Sequence, residues 1–212
     1  MSRSPSILGV ILAAGESSRM GRDKALLPWP PIADGTGGAV RSFLSCTIEL
    51  LKQHTEMVLV VTGSNSDLLA PTIYSQGAFL VENTAPELGQ FSSLKAGLQS
   101  VLQYGRDAAM VALVDRPPVL ESTVMRLHAA FLEGLEHGMW ATVPEFGGQH
   151  GHPIVLAREM MELLLRAPLT TTARDVMHAN ADHIVYVPVE DPLVAANINT
   201  PDDYARLGAS FR

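Results

Sequence analysis

Cysteine, charged residues and long apolar runs are all scarce in this sequence. Its single cysteine, Cys46, excludes an intramolecular disulfide and a zinc site built from cysteines. Charged residues make up 17% of the 212 positions and hydrophobic residues 47%, proportions that predict an ordered, self-contained core. No apolar run reaches the roughly 18 residues of a membrane span. We therefore expect one domain over residues 1–212, a cytoplasmic location and no membrane partner.

An excess of positive charge is missing as well. The chain has 15 lysines and arginines against 22 aspartates and glutamates, a formal net charge of −7. Proteins whose main ligand is a nucleic-acid backbone usually carry a basic surface. We therefore expect no nucleic-acid partner.

Short apolar runs rich in β-branched residues alternate with helical patterns. Apolar residues spaced three and four apart predict helices within 39–53, 91–104 and 121–136. Such alternation predicts an α/β fold, a Rossmann-like three-layer αβα sandwich with a mostly parallel sheet. Residues 139–190 have shorter runs, typical of a smaller lobe or a mixed extension of the sheet. The predicted strands are 7–12, 57–61, 78–81, 110–114, 139–143, 153–156 and 183–187.

The loop after the first predicted strand is the strongest candidate for a ligand site, because such sheets bind ligands at the carboxyl ends of their strands. Two glycines, Gly15 and Gly21, allow backbone N–H groups to approach an anion closely. Three cations within nine positions predict an anionic ligand of the polyphosphate kind. They are Arg19, Arg22 and Lys24.

The glycine spacing of this loop fits neither of two familiar phosphate-binding patterns. Five residues separate Gly15 from Gly21, and Ala25 follows Lys24 where a Walker motif needs serine or threonine. The G-x-G-x-x-G pattern of dinucleotide sites is absent at this turn. The spacing excludes a standard P-loop NTPase and disfavours an NAD(P)-dependent oxidoreductase, although a variant Rossmann oxidoreductase stays open on the residues alone.

An acidic residue, Asp115, follows the fourth predicted strand. A carboxylate that emerges from a buried strand is well suited to a Mg²⁺ ion shared with phosphate oxygens. An aspartate shortly before prolines, here Pro117 and Pro118, is equally typical of a turn. The spacing alone leaves both interpretations open.

Residues 12–28 read LAAGESSRMGRDKALLP and resemble the signature of nucleotidyltransferases that act on sugar, isoprenoid and molybdopterin substrates. The segment is most similar to the MobA/MocA-like NTP transferase family, the molybdenum cofactor cytidylyl- and guanylyltransferases. This resemblance implies that Arg19 and Lys24 hold the triphosphate and serve catalysis. It also implies base and ribose contacts from the start of the loop, namely Leu12, Ala13, Ala14 and Gly15.

Two further segments resemble motifs of the same family. In residues 82–97, Gly89 would allow close approach to the nucleotide, and Ser92 or Ser93 would cap a helix that faces it. The Asp115-Arg-Pro triplet resembles the family's Asp-x-Pro, which implies a role for Asp115 in catalysis and Mg²⁺ binding.

Near the C-terminus, residues 197–203 resemble the family's closing motif, with Asn197 and Asn199 at its variable acidic positions. Both are therefore expected metal ligands, although an amide adds no negative charge. Residues 200–203 also fit a helix start, with Thr200 as the N-cap and Pro201 at the first helical position. His152, in a Gly-His-Pro segment, is the expected acceptor-side residue. The family's glycines near Arg174 are missing, so acceptor contacts are not expected there.

The resemblance implies transfer of a nucleoside monophosphate from an NTP to a phosphorylated acceptor, with Mg²⁺ as cofactor and pyrophosphate as product. The expected acceptor is molybdopterin, with delivery of the product to a molybdoenzyme. Ala14 favours CMP over GMP, whereas the Asn-x-Asn motif favours GMP. Two alternatives stay open: a non-catalytic nucleotide-binding protein with a degenerate metal site, and a nucleotidyltransferase for a sugar phosphate or another phosphorylated metabolite.

Overall fold

A mixed β-sheet forms the centre of the protein, whose computed structural model describes residues 5–15, 20–31 and 41–209. The strands of this sheet in the described part of the chain are β1 (Ile7–Leu12), β2 (Val58–Thr62), β3 (Phe79–Glu82), β4 (Ala108–Leu113), β5 (Ala141–Phe146), β6 (Gln149–His150), β7 (Ile154–Ala157) and β8 (Ile184–Pro188).

Helices connect most of these strands. The α-helices in the described ranges are α1 (Phe43–Lys52), α2 (Ser66–Ser75), α3 (Gln90–Gln103), α4 (Glu121–Glu136), α5 (Arg158–Arg166), α6 (Ala173–His178) and α7 (Pro201–Ala209). None of these helices has the length and apolar character needed to cross a lipid bilayer.

The strand order β3-β2-β1-β4-β7-β5-β6 places β1 and β4 side by side in the middle of the sheet. Strands β3, β2, β1 and β4 are mutually parallel, so the loops that follow them emerge at one edge. Strand β7 is antiparallel to both β4 and β5, and β8 is parallel to β5. Residues 139–190 are therefore a mixed extension of the sheet and not a separate lobe.

Two hydrophobic layers cover the faces of the sheet and confirm the predicted three-layer αβα arrangement. One layer packs α1, α2 and α4 against the sheet, through residues such as Ile48, Leu69 and Phe131. The other packs α3 and α5, through residues such as Leu98 and Leu164. Because both faces are covered, β1 is buried along its whole length, as expected for a central parallel strand.

The predicted elements agree with the structure to within about two residues at most boundaries, the usual uncertainty of helix and strand ends. The prediction missed the two-residue strand β6 and the helices α2, α5 and α6. Helix α2 contains Pro71 and has only two buried residues, Leu69 and Ile73, so its apolar pattern is weak. Helix α1 begins at Phe43, capped by Ser42. Residues 32–40, where the prediction began that helix, lie outside the described ranges. Cys46 is buried in α1.

A small third cluster joins the two ends of the chain. Met20, Leu27 and Phe43 pack with Ile198, while Trp29 and Tyr204 cover them. The Tyr204 hydroxyl also donates a hydrogen bond to the Pro28 carbonyl at 2.8 Å. Helix α7 is thereby fixed against the segment that follows the first loop.

Gly97 allows α3 to pack closely on the sheet. A Cβ at this position would lie 2.6 Å from Val10 Cγ1 and 3.0 Å from Val61 Cγ2. We expect Gly97→Ala to lower the free energy of unfolding by about 1–3 kcal/mol, because the added methyl overpacks this contact. Urea denaturation measures the effect.

Gly208→Ala in α7 is a matched control, since its nearest neighbour would be Pro31 Cβ at 3.3 Å. Alanine's better helix propensity should offset that contact. Equal stability changes in the two variants would contradict the packing argument.

Candidate active site

The loops that follow β1, β2 and β3 touch one another at the carboxyl edge of the sheet. A Cβ at Gly63 would lie 3.0 Å from the Ala14 carbonyl oxygen and 3.0 Å from Pro86 Cβ. Gly63 thus allows three consecutive strand-end loops to approach closely. This edge is where sheets of this type bind their ligands.

The first loop begins as a buried turn and then reaches the surface. Leu12, Ala13 and Ala14 are buried, whereas Gly15 is exposed. The base and ribose contacts expected of these four residues stay a prediction. Arg19, the expected phosphate ligand, lies outside the described residues.

An asparagine on the neighbouring loop, Asn65, fastens the two sides of the first loop together. Its Nδ2 donates to the Ala13 carbonyl at 2.9 Å and to Asp23 Oδ2 at 2.6 Å. Its Oδ1 accepts from the Gly63 N–H at 3.1 Å. The other oxygen of Asp23 accepts from the Ala25 N–H at 2.9 Å, which caps the 3-10 turn that contains Lys24. Asn65 therefore fixes the backbone on either side of Lys24.

Lys24 connects the first loop to the C-terminal part of the chain. Its Nζ donates to Asn199 Oδ1 at 3.0 Å, across 175 residues of sequence. The neighbouring Ile198 N–H donates to the Asp115 carbonyl oxygen at 2.9 Å. The structure thereby brings together three of the residues expected to serve catalysis or metal binding: Lys24, Asp115 and Asn199.

The Asp115 carboxylate has unused hydrogen-bonding capacity. Its Oδ1 is buried and has no hydrogen-bond partner among the described residues. A buried acceptor without a partner is costly and calls for a ligand, a cation or a donor. Mg²⁺ is typically held by one or two carboxylates together with substrate phosphates and water. The free oxygen of Asp115 fits such a shared ion.

The two asparagines are less clearly metal ligands. Asn199 Oδ1 is the atom that accepts from Lys24, and Asn197 is exposed. Among the described residues there is no group of three or more histidine, cysteine or acidic side chains that could hold a metal ion by themselves. Any ion at Asp115 would therefore need most of its ligands from the substrate. The metal-binding roles of Asn197 and Asn199 stay predictions.

The prediction that Ser92 or Ser93 caps helix α3 is wrong. Helix α3 starts one turn earlier than that role requires, with Gly89 as its N-cap, at φ +88°. Ser92 and Ser93 are consequently inside the helix and buried. Both hydroxyls accept hydrogen bonds from Asn83 Nδ2, at 2.8 and 3.0 Å. Their polar atoms bind the loop after β3, and direct nucleotide contact by Gly89, Ser92 or Ser93 stays a prediction.

The helix expected at residues 200–203 is confirmed. Helix α7 begins at Pro201, and the Thr200 hydroxyl accepts from the Asp203 N–H at 3.2 Å. In return the Asp203 carboxylate accepts from the N–H groups of Asn199 and Thr200, at 2.9 and 2.8 Å. These bonds lower the pKa of Asp203. The cap holds the backbone of Asn199 in place beside Lys24.

His152 lies on the far side of Asp115 from the first loop. Its N–H donates to the Val194 carbonyl at 3.1 Å, and its ring nitrogen Nδ1 is buried without a partner in the described part of the chain. Burial, together with the nearby charge of Arg116, lowers the pKa of His152 to about 3. The imidazole is therefore neutral at physiological pH and can give or accept one hydrogen bond without adding charge.

Sequence reasoning missed the contacts made by Asn65, Asn83 and Asp23. Asn83 directly follows β3, and Asn65 lies three residues after the end of β2, positions from which a side chain can reach a neighbouring loop. Such a position was the available signal, but it does not tell which partner a side chain finds.

A glycine-containing first loop, a lysine that follows it and an unpaired carboxylate at the next central strand end are features of a nucleotidyltransferase. Residues 9–184 match the sequence model of the MobA-like NTP transferase domain, and the chain belongs to this family. The family expected from residues 12–28 and the fold expected from the alternation of strands and helices are both confirmed.

Individual relatives agree with this assignment. The chain is 26% identical to a molybdenum cofactor cytidylyltransferase of Escherichia coli K12, over 92% of each protein. It is 28% identical to a molybdenum cofactor guanylyltransferase of Xanthomonas euvesicatoria pv. vesicatoria strain 85-10, over 94% of this chain and 93% of that protein. A solved homologue of Mycobacterium tuberculosis Rv0371c, from Mycobacterium sp. strain JC1, superposes with a TM-score of 0.74 at 25% identity, covering 96% of both chains.

The hydrogen bonds of Asn65 should be essential for the shape of the first loop. We expect Asn65→Ala to lower the free energy of unfolding by about 1–3 kcal/mol, because the buried Ala13 carbonyl loses its donor. We also expect a weaker affinity for nucleoside triphosphate, since Lys24 is held by the same network. Urea denaturation and calorimetric titration measure the two effects.

Three further variants test the network specifically. Asn180→Ala removes an amide that donates to the Val176 carbonyl at the end of α6, and it should leave nucleotide affinity unchanged. Asn65→Asp sets a carboxylate against Asp23, and adding Asp23→Asn should recover part of the lost affinity by restoring a donor between the two positions. Absence of any recovery in the double variant would show that the contact with Asp23 does not matter.

Proposed function

We propose that this protein transfers a nucleoside monophosphate from an NTP to a phosphorylated acceptor of the molybdopterin class and releases pyrophosphate. The acceptor follows from relatives named as molybdenum cofactor transferases over most of the chain. The observation that supports the reaction is the buried Asp115 Oδ1, which has no partner among the described residues. The Asp115 carbonyl accepts from the Ile198 N–H, and the next residue, Asn199, accepts from Lys24.

In this proposal an oxygen of the acceptor's phosphate attacks the α-phosphorus of the NTP. A new phosphorus–oxygen bond forms there, and the bond from the α-phosphorus to the bridging oxygen breaks, so that pyrophosphate leaves with the electron pair. The attacking phosphate is already a nucleophile and needs no protein base. The work of the protein is positioning and charge stabilisation.

Lys24 would stabilise the negative charge that builds on the triphosphate, together with Arg19. Asp115 would hold a divalent cation, Mg²⁺ by preference, with Asn199 or Asn197 as supplementary ligands. When bound, such an ion would neutralise negative charge on the reacting phosphates. His152 would contribute a neutral hydrogen-bonding group on the acceptor side.

The choice of base rests on few residues. Ala14 favours CMP, and the Asn197-Ile-Asn199 motif favours GMP, so we propose CMP as the first candidate and GMP as the second. A thermal-shift screen of CTP, GTP, UTP and ATP with Mg²⁺, each alone and with molybdopterin or a sugar phosphate, ranks both bases and acceptors.

Lys24→Ala and Asp115→Ala test the proposed catalytic groups. We expect both variants to fold and to release pyrophosphate at least about 100-fold more slowly than the wild type, the usual cost of losing one preorganised charge-stabilising group. A coupled pyrophosphate assay with CTP, Mg²⁺ and molybdopterin measures the rate, and circular dichroism checks the fold.

Lys52→Ala and Asp182→Ala are the matched controls, because both residues are exposed and remote from the strand-end loops. They should turn over at the wild-type rate. Near wild-type rates for the Lys24 and Asp115 variants would refute the assignment. A wild-type protein that binds an NTP but releases no pyrophosphate with any acceptor would instead be the non-catalytic binding protein.

A further inference from the structure

Arg116 is a partly buried cation at the carboxyl end of β4 that the proposed reaction leaves without a role. Its Nη1 donates to the Val194 carbonyl at 2.7 Å. Its Nε is buried and has no hydrogen-bond partner within residues 5–15, 20–31 and 41–209. Over the same ranges no carboxylate forms a salt bridge with it. One hydrogen bond to a backbone carbonyl and the charge of the neighbouring Asp115 carboxylate are thus the compensation seen for the positive charge.

This arrangement is physically expensive. A guanidinium stays charged in proteins, so burial removes hydration without removing the charge. Burial lowers the pKa of Arg116, and the neighbouring Asp115 carboxylate acts in the opposite direction. A buried donor that finds no partner costs about 1–3 kcal/mol and points to a missing ligand. An anion would satisfy both the charge and the unused N–H group.

The contacts of Arg116 place this anion on one particular side of Asp115. The Val194 carbonyl that accepts from Arg116 also accepts from the His152 N–H at 3.1 Å. His152 directly precedes the β7 half of the sheet, whereas Lys24 and the first loop follow β1. Strand β4 lies between β1 and β7 in the sheet. An anion bound by Arg116 would therefore lie across Asp115 from the loop that is expected to hold the triphosphate.

A second unpartnered group lies next to the first. Arg116 and His152 line the same small cavity, whose other walls are largely apolar and include Leu50, Leu113 and Pro118. The buried Nδ1 of His152 also lacks a partner there. The guanidinium of Arg116 and the neutral imidazole of His152 can both donate hydrogen bonds to a phosphate group at this cavity. Guanidinium binds phosphate oxygens in a bidentate manner.

The position of Val194 is itself tightly fixed. A Cβ at Gly151 would lie 2.2 Å from the Val194 carbonyl oxygen, so only glycine allows the two backbones to approach this closely. The carbonyl that orients Arg116 is therefore part of a rigid contact. The hydrogen bond to this carbonyl therefore fixes the direction of the Arg116 guanidinium.

We propose that Arg116 determines acceptor specificity by binding the phosphomonoester group of the acceptor through its Nε edge, with His152 as a supporting donor or acceptor. This inference rests on the proposed function, in which that phosphate is the attacking group. Arg116 would hold the nucleophile on one side of Asp115 while Lys24 holds the triphosphate on the other. The site would accordingly reject acceptors that lack a phosphomonoester.

Steady-state kinetics of Arg116→Gln test the proposal, with pyrophosphate release followed for CTP, Mg²⁺ and molybdopterin. We expect the KM for the acceptor to rise about 10- to 100-fold, the usual range for a lost charge-assisted hydrogen bond, while the KM for CTP stays within about 2-fold. Arg116→Lys keeps the charge but loses the fork, and it should fall between Arg116→Gln and the wild type. Arg126→Gln, an exposed arginine on α4, is the matched control and should equal the wild type.

The pattern of effects separates ligand binding from a structural role. If Arg116 only supports the Val194 loop, its variants should lower the thermal midpoint and affect both KM values alike, and that result overturns the proposal. An unchanged acceptor KM in Arg116→Gln overturns it as well. A rise in the KM for CTP alone would move the anion site to the triphosphate and also count against it.

A binding measurement keeps the test independent of turnover. With a saturating non-hydrolysable CTP analogue present, inorganic phosphate should raise the thermal midpoint of the wild type and of Arg126→Gln, but not that of Arg116→Gln. A phosphate effect that is equal in all three proteins, or absent from the wild type, contradicts the proposal. Failure of the CTP analogue itself to bind would instead count against the proposed function.

Discussion

The hydrogen bond between Lys24 and Asn199 connects the two ends of the chain at the edge of the sheet where the site lies. On one side the lysine is held by a 3-10 turn whose cap, Asp23, is bonded to Asn65. On the other side Asn199 is held by the cap of α7 and by the apolar contact of Ile198 with Phe43. The adjacent Ile198 N–H is bonded to the Asp115 backbone. The pairing of β1 with β4 already places the first loop beside Asp115, and this closure adds the C-terminal segment to the same edge.

Several polar groups at this edge lack partners inside the protein. The described part of the chain satisfies neither Asp115 Oδ1 nor Arg116 Nε nor His152 Nδ1, although most buried polar groups in folded proteins are paired. The three residues lie at the ends of two adjacent strands and differ in charge: one is an anion, one a cation and one neutral. Such an arrangement suits a ligand that carries a cation and a phosphate together, and it explains why the fold tolerates the cost of leaving these groups unpaired.

Much of the fold could be predicted from the sequence because its central strands β1, β2 and β4 are buried on both faces. Ile7–Leu12 was bounded correctly, and Glu121–Glu136 likewise, since continuous apolar runs and a regular apolar spacing are local signals. Helix α2 was missed because Pro71 and its weak apolar face hide that spacing. Ser92 and Ser93 were wrongly expected to cap α3. A glycine with positive φ starts that helix earlier, and the serines bind Asn83 instead.

The sequence by itself determined the α/β class, the family and the identity of the first-loop residues, because these depend on residue order and on local patterns. Only the tertiary structure decided that Lys24 meets Asn199, that Asn65 ties Ala13 to Asp23, and that Arg116 and His152 share a carbonyl and a cavity. Those contacts join residues tens to more than a hundred positions apart. They arise from the order of strands in the sheet, and no local pattern along the chain encodes that order.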